Sequence, residues 1–159
     1  MCEIEGSDKF DAIRQIVRHA PVFREIRDLD SFEESVLSRE RLLTTGFGRG
    51  VAVAHGRTEG VPHILIGLGL SRKGIAFESP DGKPVHLLFV IASSPSMNLD
   101  YLQALSVLVR VLRDPAAREA LIAEGDVARV EHHIRTAFAL SLQRLRRSLR
   151  GNPACSPAT

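Results

Sequence analysis

The sequence predicts an α/β domain built as a three-layer α/β/α sandwich. Three observations carry that reading. Amphipathic helical segments come first, glycine-punctuated apolar strands fill the middle, and helices return to the end, an order that stacks helices on a sheet. The segment Val85-His86-Leu87-Leu88-Phe89-Val90-Ile91-Ala92 stays apolar without alternating, as a strand covered on both faces requires. A length of 159 residues suits one core, and 44% hydrophobic with 25% charged residues excludes global disorder.

The first helix is expected over residues 8–20, where Phe10, Ile13, Ile16 and Val17 share a face, with Ser7 as N-cap and Pro21 as stop. A second is expected to start after Asp30 or Ser31 and to carry Phe32, Val36, Leu37, Leu42 and Leu43. Asp28 and Asp30 lie just before it, where a helix N-terminus favours negative charge. Thr44-Thr45-Gly46-Phe47-Gly48-Arg49-Gly50 reads as a glycine-rich turn. It feeds a short strand, residues 51–54, that ends at His55-Gly56. Residues 62–70 read as another strand, and residues 79–84 as the turn before the strand 85–92. Asn98 is expected to cap a helix over 99–113, with Leu102, Leu105, Val109 and Leu112 on one face. Asp114-Pro115 opens a short helix that Gly125 stops. Asp126 caps a last helix with Val127, Val130, Ile134, Phe138, Leu142, Leu145 and Leu149 at helical spacing, and residues 151–159 read as a disordered tail.

Composition narrows the function. No apolar run reaches about 18 residues, so no membrane insertion is expected. The acidic N-terminus lacks the apolar centre of a secretory signal, which points to the cytoplasm. A net charge of +2 gives no reason to expect a nucleic-acid partner. Cys2 and Cys155 stand near opposite ends and form neither a disulfide framework nor a metal motif. His63 and His86 read as core or strand-end residues, and His19 as a cation at a helix end. His132 and His133 are adjacent, so a helix points them apart; no metal site and no cofactor are expected.

Chemistry concentrates between Ser38 and Arg57. A histidine at a strand end, followed at once by glycine, suits the place where open α/β sheets gather ligands. Gly56 leaves backbone open to an anion, and Thr44 and Thr45 add hydroxyl donors. Arg39, Arg49 and Arg57 could supply the forked positive charge that phosphate prefers. A neutral imidazole is a competent nucleophile near pH 7. Spacing alone leaves open the plainer reading, a surface histidine in an arginine-rich loop.

The wording of the segment resembles the enzyme IIA domains of the sugar phosphotransferase system, in the fructose/mannitol class that includes the nitrogen-regulatory IIA proteins. The resemblance rests on Arg39-Glu40, Thr45-Gly46-Phe47-Gly48, Val51-Ala52-Val53 and Ala54-His55-Gly56. It extends to Lys9–Val17, to Lys83–Phe89 and to Leu102-Gln103-Ala104-Leu105. It implies a central mixed β-sheet flanked by helices. It also implies a phosphoryl carrier in which His55 accepts phosphate from a histidine phosphocarrier protein and passes it to a IIB domain or a regulatory target. Arg39 then matches the family's phosphate-neighbouring arginine.

Three departures stand out. Ala54 replaces the proline before the active histidine, and Tyr101 occupies the place of a second histidine, where its hydroxyl can still donate to phosphate. The N-terminal strand is expected to be short or absent. A second reading therefore stands beside the first: a IIA-like binding module that regulates a partner without phosphoryl turnover. Residues 1–138 read as the IIA-like domain and 139–159 as a C-terminal helical extension and tail. Arg144, Arg146, Arg147 and Arg150 make that extension basic, and the leucine seam Leu142, Leu145 and Leu149 allows a homodimer.

Overall fold

The computed structural model describes residues 1–5, 8–124 and 126–150, without the side chains of 145, 146 and 148–150. The strands are β1 (Cys2–Glu3), β2 (Gly46–Gly48), β3 (Val51–Arg57), β4 (Leu65–Ile75) and β5 (Val85–Ser93). The helices are α1 (Lys9–His19), α2 (Leu29–Leu42), α3 (Asn98–Arg113), α4 (Pro115–Ala123) and α5 (Val127–Arg150), with a 3₁₀ helix at Pro21–Glu25. The sheet runs β1-β4-β5-β3-β2. β1 is parallel to β4 and β3 to β5, while β4–β5 and β2–β3 are antiparallel, so the sheet is mixed.

Strand periodicity splits the core into two layers. Leu88, Val90 and Ala92 of β5 pack with Ala52 and Ala54 of β3 against α1 and α2. Leu87, Phe89 and Ile91 pack with Val51 and Val53 against the helices after β5, through Leu108, Leu112, Leu121 and Val130. The central strand is thus buried on both faces, as its unbroken apolar run predicts, and the three-layer α/β/α sandwich is the observed fold.

Several boundaries differ from those expected. The N-cap of α1 is Asp8, whose carboxylate accepts from the amides of Phe10 and Asp11; Ser7 lies outside the described residues. α2 begins at Leu29, because Asp28 caps it through the Ser31 amide. Phe32, Val36 and Leu37 face the core, but Leu42 at the helix end and Leu43 just after it are 82% and 66% exposed. The glycine-rich turn contains β2, which pairs back on β3. β3 continues to Arg57, so His55 lies within the strand and not after it. β4 starts at Leu65 and leaves His63 outside, exposed, its ring 4.0 Å from Glu25. Met97 takes the cap position of α3 and Asn98 is its first residue. Leu102 is exposed and Leu105 and Val109 are half-buried, while Ala104, Val107, Leu108 and Leu112 form the buried stripe. α4 ends at Ala123; Gly125 is outside the described residues. On α5, Val130 is buried and Ile134, Phe138 and Leu142 are half-buried, while the side chains of Leu145 and Leu149 are outside the described set. The N-terminal strand is short, two residues held by β4. Among the described residues no helix is long and apolar enough to cross a membrane.

Candidate functional site

His55 is the fifth residue of β3 and pairs with Ile91 of the parallel strand β5. Alternation puts it on the face of Val51 and Val53, toward α3, and near the end where β3 and β5 both finish. The polypeptide leaving β5 starts α3 at Asn98, and the second turn of that helix brings Tyr101 over the histidine. Their ring centroids lie 5.3 Å apart at an interplanar angle of 43°. His55 is half-buried, and among the described residues no hydrogen bond holds either ring nitrogen.

Two guanidinium groups share this space. Arg39, in the last turn of α2, is anchored by Nη1 donating to the Leu43 carbonyl at 3.0 Å. Arg57 ends β3; its Nη2 donates to Asn98 Oδ1 at 2.9 Å, and its backbone N–H donates to Ser35 Oγ at 2.9 Å. Asn98, expected as a helix cap, instead orients this arginine. Burial lowers the His55 pKa below 6.5, and the positive charges of Arg39 and Arg57 push in the same direction, with Glu40 opposing. The ring is therefore neutral at pH 7. Burial raises the Tyr101 pKa, against the same two arginines, so its hydroxyl keeps its proton.

The expected threonine donors are directed elsewhere. Thr44 Oγ1 donates to the Phe77 carbonyl at 2.9 Å. Thr45 Oγ1 donates to Glu40, which also accepts the Thr45 N–H. Gly56 faces α2 and not the ligand space. A Cβ there would stand 2.5 Å from Val36 Cγ2 and 3.0 Å from the Val36 nitrogen, so the missing side chain lets α2 lie on β3 and carry Arg39 to the histidine. Ala54, in place of the proline, is 1% exposed and paired with Val90, so the sheet ladder sets its backbone. Arg49 lies at the opposite end of β3 and is not among the charges acting on His55.

Glu40 is the residue that motif reading left without a role. It is 1% exposed and ion-paired with Lys9 Nζ at 3.3 Å, tying α1, α2 and the segment before β2 together behind the site. Its signal was available in the sequence, because Glu40 continues the helical stripe Val36–Leu37 as a carboxylate on an apolar face. His86 Nδ1 is held at 2.9 Å from the Ser71 carbonyl oxygen, a satisfied strand histidine. Among the described residues no three His, Cys, Asp or Glu side chains form a metal-binding group.

Residues 1–136 match the family model described as phosphoenolpyruvate-dependent sugar phosphotransferase system, EIIA 2. A fructose-specific EIIABC component of Bacillus subtilis is 34% identical over 129 residues, covering 80% of this chain and 20% of that protein. A nitrogen regulatory protein of Bradyrhizobium diazoefficiens is 38% identical over 93 residues, covering 58% of this chain and 61% of its relative. The chain thus spans less than two thirds of either relative. The crystal structure of nitrogen regulatory protein IIA-Ntr from Neisseria meningitidis superposes with a TM-score of 0.70 at 27% identity, covering 84% of this chain and 90% of that one.

Proposed function

This chain belongs to the EIIA 2 family of the phosphoenolpyruvate-dependent sugar phosphotransferase system, and from that membership we propose that it is a cytoplasmic phosphoryl carrier with His55 as phosphoacceptor. One observation carries the reading: a half-buried histidine, unbound at both ring nitrogens among the described residues and kept neutral by burial and two guanidinium groups.

A neutral ring nitrogen offers a lone pair to an incoming phosphorus. The donor is the phosphohistidine of a small phosphocarrier protein. The new N–P bond forms as the donor's N–P bond breaks, and the electron pair of the broken bond stays on the donor's ring nitrogen. Only the phosphoryl group changes hands. Arg39 and Arg57 face the charge spread over its oxygens, and the Tyr101 hydroxyl donates to it. The group then leaves for a IIB domain or a regulatory target. The same two cations that hold the free ring neutral favour the phosphorylated dianion. Leu42 and Leu43 beyond Arg39, and Leu99 and Leu102 beside Tyr101, offer exposed apolar surface to these partners. The carrier domain is taken as residues 1–138, with 139–159 an extension through which a second copy could pair. A solution mass unchanged by deleting residues 140–159 counts against that pairing.

Incubation with phosphoenolpyruvate, the upstream kinase and its carrier tests the reading. The native chain should take up an acid-labile phosphate and His55→Ala none. Full labelling of His55→Ala overturns the assignment. In the alternative reading, a regulatory binding module, the native chain stays unlabelled while still binding its partner.

A further inference from the structure

Arg49, Arg113 and Arg118 line a surface cavity of about 450 Å³ together with Phe47, Val51 and Leu112. It lies at the pole opposite His55. Val51 stands at the cavity and His55 four residues on, about 13 Å along the same strand. α3 likewise has its start beside His55 and its last residue, Arg113, at the cavity.

Arg118 carries the argument. It is 6% exposed, and its Nη1 donates to the Leu112 carbonyl at 2.9 Å. Among the described residues the ion-paired arginines are Arg18, Arg41, Arg72, Arg129 and Arg135, and no carboxylate pairs with Arg49, Arg113 or Arg118. The neighbouring acids are engaged with backbone. Asp114 accepts the Ala116 N–H, and Asp81 accepts those of Arg49 and Lys83. Glu119 and Lys83 line an adjoining cavity that shares Arg49 and Arg118. A buried guanidinium stays charged and calls for an anion.

Arg49 supplies an independent sign. It sits at φ 57, between Gly48 at 82 and Gly50 at 80. Glycine would hold that turn at less cost, so nothing in the backbone calls for arginine there, and its side chain lines the cavity.

We propose that this cavity binds a small polyanionic metabolite, an organic phosphate or a polycarboxylate. Its anionic groups lie on the three guanidinium forks and its carbon skeleton on Phe47, Val51 and Leu112. Forked donors suit both oxyanions. The site is separate from the phosphoryl site, and the inference stands whether or not His55 is phosphorylated.

Amide NMR titration of the full chain with pyrophosphate and, separately, with citrate tests it. At least one probe should give saturable shifts at Gly48–Gly50 and Leu112–Arg118 in the millimolar range, whether or not the phosphoryl site at His55–Arg57 also responds. The probe that saturates identifies the ligand class. Arg49→Gly suits its turn and Arg113→Gln lies on an exposed helix end, so both keep the fold, and each weakens binding about tenfold. Absence of saturation with both probes, shifts confined to His55–Arg57, or an affinity unchanged in both variants overturns the proposal.

Discussion

The rings of His55 and Tyr101 stand 5.3 Å apart, inclined by 43°, so the single tyrosine of this chain covers the residue proposed to accept phosphate. A phenol in that position both packs the imidazole and offers one proton to an oxyanion. Tyr101→Phe keeps the ring and removes only the donor. Phosphoryl uptake by His55 should slow about tenfold in single-turnover transfer, with the thermal midpoint unchanged. An unchanged rate would remove Tyr101 from the phosphate site.

The charge around His55 sets a pH dependence. Its pKa lies below 6.5 because burial, Arg39 and Arg57 all disfavour the imidazolium. Protonation removes the attacking lone pair, so uptake should hold from neutral pH downward and fail only as the pH falls through that depressed pKa. Arg39→Gln removes a cation, so the pKa moves up toward 6.5 and the loss begins at higher pH. Uptake at pH 7 should also fall about a hundredfold in this variant. Histidine ring NMR read alongside the transfer rate separates the two effects.

Glu40 and Lys9 form a buried ion pair behind the site, completed by Thr45. Removing one buried partner leaves the other charge uncompensated. Glu40→Ala should destabilise the fold by about 3 kcal/mol in denaturant unfolding. Lys9 keeps its contact with Glu78, which softens the loss. Lys9→Met with Glu40→Gln, which leaves no buried charge unpaired because Glu78 is 76% exposed to solvent, should recover most of it. A double variant as unstable as Glu40→Ala would disprove the ion-pair account.

Two glycines give opposite forms of the same substitution. At Gly56 a methyl meets Val36 at 2.5 Å and Phe32 at 3.1 Å, so Gly56→Ala should cost about 1–3 kcal/mol by overpacking and displace Arg39 with α2. Gly82 has φ 66 and open space, so Gly82→Ala should cost about 1 kcal/mol through backbone conformation alone. Only the first should also slow phosphoryl uptake.

Much of this could be read from local pattern. The stripe Ile13, Ile16 and Val17, the unbroken strand around Phe89 and the order of elements are statements about near neighbours in sequence, and periodicity reports them directly. Arg39, His55 and Tyr101 share one family resemblance, and the fold brings them to one point. Thr44, Thr45 and Arg49 lie near His55 in sequence, yet the threonine hydroxyls bond to Phe77 and Glu40 and Arg49 lines the cavity at the opposite pole. A strand points successive side chains to opposite faces and carries its two ends far apart, so residues within one short motif reach different sites.

By itself, the sequence determined a three-layer α/β domain, its family and the histidine on which a phosphoryl reading rests. Tertiary structure alone decided where the polar side chains end. Thr44 finds the Phe77 carbonyl, Arg57 finds Asn98, and Glu40 finds Lys9, across separations of 33, 41 and 31 residues. Such pairings follow from sheet register and from how closely α2 lies on β3. Burial makes each polar group take whichever partner that register supplies.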